Sequence, residues 1–77
     1  MLANYLKQHF EQNDMHPALV ARKLETSRSV VHNWLNGDST PNFKHCCKIA
    51  DLLAQKEHRS AEEVLTEMKE EMEKEVK

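Results

Sequence analysis

Breaks are scarce in this sequence: 77 residues contain one Gly and two Pro, so each of the three marks a position. No alternating run of β-branched residues suggests a strand, and no internal repeat or low-complexity linker is present. Nothing approaches the roughly 18 unbroken apolar residues of a membrane span. Asn4, Lys7, Gln8 and His9 interrupt any signal-like apolar run at the N-terminus, so a cytoplasmic location is expected. Cys46 and Cys47 are neighbours. On a helix they point about 100° apart, which does not suit a mutual disulfide, and a reduced compartment follows. His45 stands beside them, but no Cys-x-x-Cys exists to complete a zinc set, so both are expected to be structural cysteines. No nucleophile, base and oxyanion donor can be assembled, and no Gly-rich phosphate loop occurs. No enzyme, metal or cofactor is expected.

Size allows one domain with a thin core. The net charge of −2 is unevenly spread. Residues 1–59 carry eight Lys/Arg against six Asp/Glu and all five histidines, whereas residues 60–77 carry three Lys against seven Glu. A weakly basic body is therefore followed by an acidic tail.

Periodicity and capping residues predict five helices and an all-α fold. The first spans about 2–13, with Leu2, Leu6, Phe10 and Tyr5 on one face. The second spans about 17–24, with His16 at the cap, Pro17 at the first helical position and Leu19, Val20, Ala21 and Leu24 inward. The third spans about 28–36, capped by Ser27 and stopped by Gly37, with Val30, Val31, Trp34 and Leu35 inward. The fourth spans about 43–54 after Asn42, with Phe43, Cys46, Cys47, Ile49, Ala50 and Leu53 as core candidates. The fifth spans about 61–76, opened by a Ser60/Glu63 capping box.

Only Glu25, Thr26 and Ser27 separate the second and third helices. A helix, a turn this short and a second helix with a small polar face make a unit that fits a DNA major groove. Arg28, Ser29, His32 and Asn33 share that face, with Ser27 at its tip. Arg28 suits the two acceptors on a guanine edge and Asn33 suits adenine. Trp34 is expected in the core.

Three blocks resemble the Cro/repressor-type (XRE-like) helix-turn-helix family: residues 20–27 (VARKLETS), 31–41 (VHNWLNGDSTP) and 48–53 (KIADLL). The resemblance covers about 2–53. It implies a lambda-repressor-like five-helix bundle that binds a palindromic operator as a dimer to control transcription. It places base contacts on Ser27, Arg28, Ser29, His32 and Asn33, and phosphate contacts on His16, Pro17, Asn36, Thr40, Asn42 and Lys44. Three positions depart from the family pattern. Glu25 replaces the turn glycine, so strain or an altered turn is expected. Pro17 replaces a glutamine that would donate to phosphate. Leu35 replaces an acidic residue, and Phe10 is expected to pack against it.

The sequence thus divides into a DNA-binding segment, 1–59, and an acidic amphipathic helix, 60–77. On the latter, Val64, Leu65, Met68, Met72 and Val76 fall on one stripe. Val64 and Leu65 can close the core, but Met68, Met72 and Val76 are expected to outrun a small body. The stripe is covered by a second copy, covered by a partner protein, or left as a fraying end. The expected protein is a homodimeric repressor on double-stranded DNA, with size and resemblance pointing to a phage or mobile element and no membrane role. Its rival is a protein-binding adaptor, antirepressor or antitoxin-like, that holds a second regulatory protein by its last helix.

Overall fold

Leu2, Leu6 and Phe10 recur every four residues, and that spacing puts all three on the buried side of the first helix, α1 (Leu2–Gln12). The structure, a computed structural model, describes residues 1–74. Val76, expected on the terminal stripe, lies outside the described residues. After α1 come α2 (Pro17–Leu24), α3 (Arg28–Asn36), α4 (Phe43–Glu57) and α5 (Ala61–Lys74). No strand occurs among the described residues, and the all-α five-helix architecture is the one the sequence leads to.

The helices end alike. A left-handed residue follows each of the first four, and the next amide bonds back to the carbonyl five residues earlier. These amides are Met15 to Phe10 (2.8 Å), Thr26 to Ala21 (2.9 Å), Asp38 to Asn33 (2.9 Å) and Arg59 to Ala54 (3.1 Å). The left-handed residues are Asp14, Glu25, Gly37 and His58, so three of the four bends are made without glycine. At Gly37 a Cβ would meet only the Ala3 Cβ, at 3.9 Å. The φ of +82° there, not crowding, is what favours glycine. The starts are capped by side chains at Ser27, whose Oγ accepts from the Val30 amide at 3.2 Å, and at Asn42, whose Oδ1 accepts from His45 at 2.8 Å. Ser60 does the same for Glu63 at 3.1 Å. The Glu63 carboxylate, expected to return the bond, instead lies 3.8 Å from Arg59.

One buried cluster takes residues from every helix: Leu6 and Phe10, Val20 and Leu24, Val31 and Trp34, Ile49 and Leu53, Val64 and Met68. The boundary expected at 59/60 falls in the turn between α4 and α5, but the core runs across it. Val64 and Met68 have no exposed area, which corrects their assignment to a surface for another chain and the expectation that Met68 outruns the body. The expectation follows the helix along its own axis, whereas α5 folds back to pack on α4 and α1. Leu65 and Met72 remain partly exposed on the same helix. Phe43, expected in the core, is 77% exposed. It stands at the first position of α4 and its side chain faces solvent, although Pro41 before it and Cys46 after it are buried. α4 also runs one turn past its expected end at Ala54, to Glu57. Cys46 is buried and Cys47 half-buried, both as free thiols. Burial pushes the Cys46 thiol up, with the neighbouring Cys47 adding to the shift.

Polar groups pin α1 to the α4–α5 turn. Arg59 donates to Glu57 and Glu67, and the Tyr5 hydroxyl donates to Glu67 at 2.7 Å. On the other side His9 and Asn13 meet Glu57 at 2.7 and 2.8 Å. Burial, reinforced by the Glu67 carboxylate, raises the Tyr5 hydroxyl pKa. The bond to Glu67 is also the main cause that holds Arg59 more firmly protonated.

Candidate nucleic-acid interface

The turn between α2 and α3 takes its shape from Glu25. Its left-handed backbone (φ 57°, ψ 46°) reverses the chain at the end of α2, so strain rather than an altered turn replaces the missing glycine. Thr26 is half-buried beneath the bend, and Ser27 leaves in extended conformation to start α3. Ala21, buried with only a methyl group, is the small residue at the angle between the helices. Val31 is buried on the inner side of α3, and Trp34 is buried beside Leu2 and Ala3 of α1, with its ring 5.1 Å from the His45 ring. The inner side of α3 is thus held against α2 and α1.

The opposite side of α3 is open. Ser27, Arg28, Ser29, His32 and Asn33 are all exposed, as the sequence reading requires. Ser27 spends an oxygen lone pair on the Val30 amide and keeps its hydroxyl hydrogen as a donor. The helix is nine residues long and carries only short or planar polar groups outward apart from Arg28. That is the build a groove about 12 Å wide admits.

Expected phosphate residues divide into two groups. His16, Pro17 and Asn36 meet His32 around one open hollow of about 350 Å³, which Phe10 and Leu35 also line. Thr40 lines a separate small cleft with Gly37 and Trp34. Asn42 and Lys44 are exposed at the start of α4, with the Asn42 oxygen already used as a cap and its amide hydrogens left to donate. Pro17 is half-buried and has no N–H, so it offers no hydrogen bond to a phosphate. The His16 side chain makes no capping bond, which leaves the first-turn amides of α2 as the donors at that point.

Sequence reasoning missed Lys7, which brings a cation from α1 to the same hollow, and also Glu11 and Asp14, which bring anions there. In the sequence, the plain feature of α1 is its apolar face. Its i, i+4 spacing from Lys7 to Glu11 was the available signal that both sit on one exposed edge.

A short turn, a packed supporting helix and a second helix with an open polar edge define a helix-turn-helix protein. The comparisons agree: a family model described as helix-turn-helix matches residues 6–57, and the chain belongs to that family, the Cro/repressor-type (XRE-like) helix-turn-helix proteins. It is a DNA-binding regulator of that class, a family not typically enzymatic. No curated protein and no solved structure gives a significant match. Among the described residues no helix is long and apolar enough to cross a membrane.

Proposed function

We propose that the protein is a homodimeric repressor that occupies a palindromic operator, with α3 of each protomer in the major groove. The observation that carries this reading is the division of α3 into a locked inner side, Val31 and Trp34, and an outer side on which Ser27, Arg28, Ser29, His32 and Asn33 are all exposed. Arg28 would grip a guanine edge through two donors, Asn33 would pair with adenine, and Ser29 and His32 would add less selective contacts. His16, Asn36, Thr40, Asn42, Lys44 and the amides opening α2 would hold the backbone and set the register. Half-sites lie about 34–36 Å apart in such complexes, comparable with the 33 Å longest dimension of one protomer.

Replacing Arg28 and Asn33 together by Ala tests the reading. Each good bidentate contact gives about 1–3 kcal/mol of discrimination, so selected operator DNA should bind no better than random DNA while the helical circular dichroism is unchanged. Retained preference would show that another face reads the bases. A second reading, an adaptor that keeps the fold to hold another regulatory protein, draws support from Glu11, Asp14 and Glu25, three acids near the reading helix. It requires that the protein bind no DNA at low salt.

A further inference from the structure

The hollow beside α3 gathers charge from three elements. Lys7 and Glu11 reach it from α1, Asp14 from the turn after α1, His16 from the cap of α2 and His32 from α3. All five are exposed. A space of about 350 Å³ is only about 7 Å across, inside the roughly 8 Å over which a field fades at physiological salt. Each of these groups therefore feels the others, and so does a phosphate brought to the hollow.

The fixed charges oppose DNA. Lys7 is the one cation in the lining, and Glu11 and Asp14 are two anions, so the net charge is −1 while both imidazoles are neutral. Protonation of both imidazoles reverses it to +1. From the surrounding elements, α3 adds Arg28 one turn before His32, and α2 adds Pro17 and the positive end of its dipole. The cations of α2, Arg22 and Lys23, stand at its other end, and no residue of α4 lines the hollow.

Among the described residues neither imidazole is committed elsewhere. His16 makes no capping bond, and neither ring forms an ion pair with Glu11 or Asp14. The other histidines are placed differently: His9 is bonded to Glu57, the His45 ring lies against Trp34, and His58 closes α4. Histidine is the side chain that ordinarily changes charge between about pH 5 and 8.

We propose that DNA binding by this protein is coupled to proton uptake at His16 and His32, which turns the hollow from repelling the phosphate chain to holding it. The proposal rests on the reading in which α3 faces the duplex, and adds a regulation of that site. A phosphate at the hollow favours the charged imidazoles, so the complex holds more protons than its separate parts. Linkage is reciprocal: if DNA draws protons in, protons draw DNA in, and affinity rises as the pH falls. Glu11 and Asp14 keep affinity low while the rings are neutral.

Titration of the full chain with operator and random duplexes, at fixed ionic strength from pH 5.5 to 8, tests the proposal. Uptake of one proton across one pH unit changes affinity about tenfold, so the wild type should bind both duplexes at least about tenfold tighter at pH 5.5 than at pH 8, with the same helical circular dichroism throughout. The random duplex carries the test, because phosphate contacts are shared by every sequence. His16→Gln combined with His32→Gln should reduce the change to less than about threefold, the residue belonging to His45 beside Lys44. His58→Asn, at the far turn, should keep the wild-type slope. Glu11→Gln combined with Asp14→Asn should tighten binding at pH 8. A flat wild-type profile overturns the proposal. So does a double histidine variant with the wild-type slope, a His58→Asn variant that loses it, or a double acid variant with no gain at pH 8. A chain that selects its operator with a flat profile keeps the operator reading and loses only the proton coupling. A chain that binds neither duplex at any pH in low salt refutes the operator reading and this one with it.

Discussion

The guanidinium of Arg59 holds the carboxylate of Glu67 by two parallel hydrogen bonds, Nη1 to Oε2 at 2.6 Å and Nη2 to Oε1 at 2.8 Å. This forked contact ties the turn after α4 to the middle of α5, and Tyr5 extends it to α1. Bidentate pairs of this kind are stronger and more directional than single ones.

Acid should loosen the fold through these carboxylates. Hydrogen bonds from Arg59 and then Tyr5 hold Glu67 down to about 2 from an ordinary 4.5. Burial works to raise Glu57, but hydrogen bonds from His9 and Asn13 outweigh it and leave that carboxyl below its usual value. Both pKa values are depressed in the folded state, so the unfolded chain takes up protons first. Their contribution is complete above the ordinary carboxylate value and is lost as the pH falls from about 4.5 towards 2. Melting temperatures across that window should drop steeply for the wild type and less steeply for Glu67→Gln, whose melting point at neutral pH should already be lower. Equal slopes for the two would remove Glu67 from this role.

Met68→Ala and Met72→Ala should differ sharply. A buried Met truncated to Ala costs about 2–5 kcal/mol, a large share of the roughly 4–12 kcal/mol expected for a domain of this length. Met68 has no exposed area, whereas Met72 is only partly covered. Urea unfolding should place Met68→Ala well below Met72→Ala in midpoint, and equal midpoints would mean that α5 does not close the core.

Glu25→Gly should raise both stability and DNA affinity. Left-handed backbone at a residue with a Cβ costs about 1–2 kcal/mol, against about 0.4–1 kcal/mol of added freedom in the unfolded chain. The net gain should be about 0–1.6 kcal/mol, and one negative charge next to α3 disappears. Gly37→Ala should lose stability, since only φ, and no neighbour within 3.9 Å, opposes it. Thermal melts and titrations of both variants check the pair, and a Glu25→Gly protein less stable than wild type would contradict the strain.

Salt should separate the two classes of DNA contact. A dimer that makes 6–10 phosphate contacts loses about 10³–10⁵ in affinity between 50 and 200 mM salt. Lys44→Ala should weaken binding to all sequences alike and reduce the steepness of the salt dependence by about two charges, one for each protomer. Arg28→Ala should cost most on the preferred operator. Titrations on operator and random duplexes at several salt concentrations distinguish them, and the same loss on both duplexes for Arg28→Ala would deny it a base contact.

Reading the sequence worked best where local chemistry decides the outcome. Pro17, Ser27 and Gly37 each bear on only a few neighbouring residues, and the bounds of α2 and α3 follow from them. The last turn of α4 was illegible because Gln55, Lys56 and Glu57 are polar and the bend falls on His58, not on glycine. Phe43 misled because helical spacing does not show which side of the first turn of α4 meets the body: Cys46 turns in and Phe43 turns out. The contacts of Tyr5 with Arg59 and Glu67 join residues more than fifty positions apart, which no window of the sequence contains. For the reading face, each residue's place on α3 was visible, but its company was not: Lys7, Glu11 and Asp14 reach the same hollow only through the way α1 packs.

On the operator reading proposed above, the outward and inward sides of α3 share no residue, so changes in target preference and changes in folding are uncoupled. Arg28, Ser29, His32 and Asn33 form a cassette that can be exchanged while Val31 and Trp34 keep the scaffold standing. A library randomised at those four positions should keep the wild-type helical circular dichroism while its DNA preference changes.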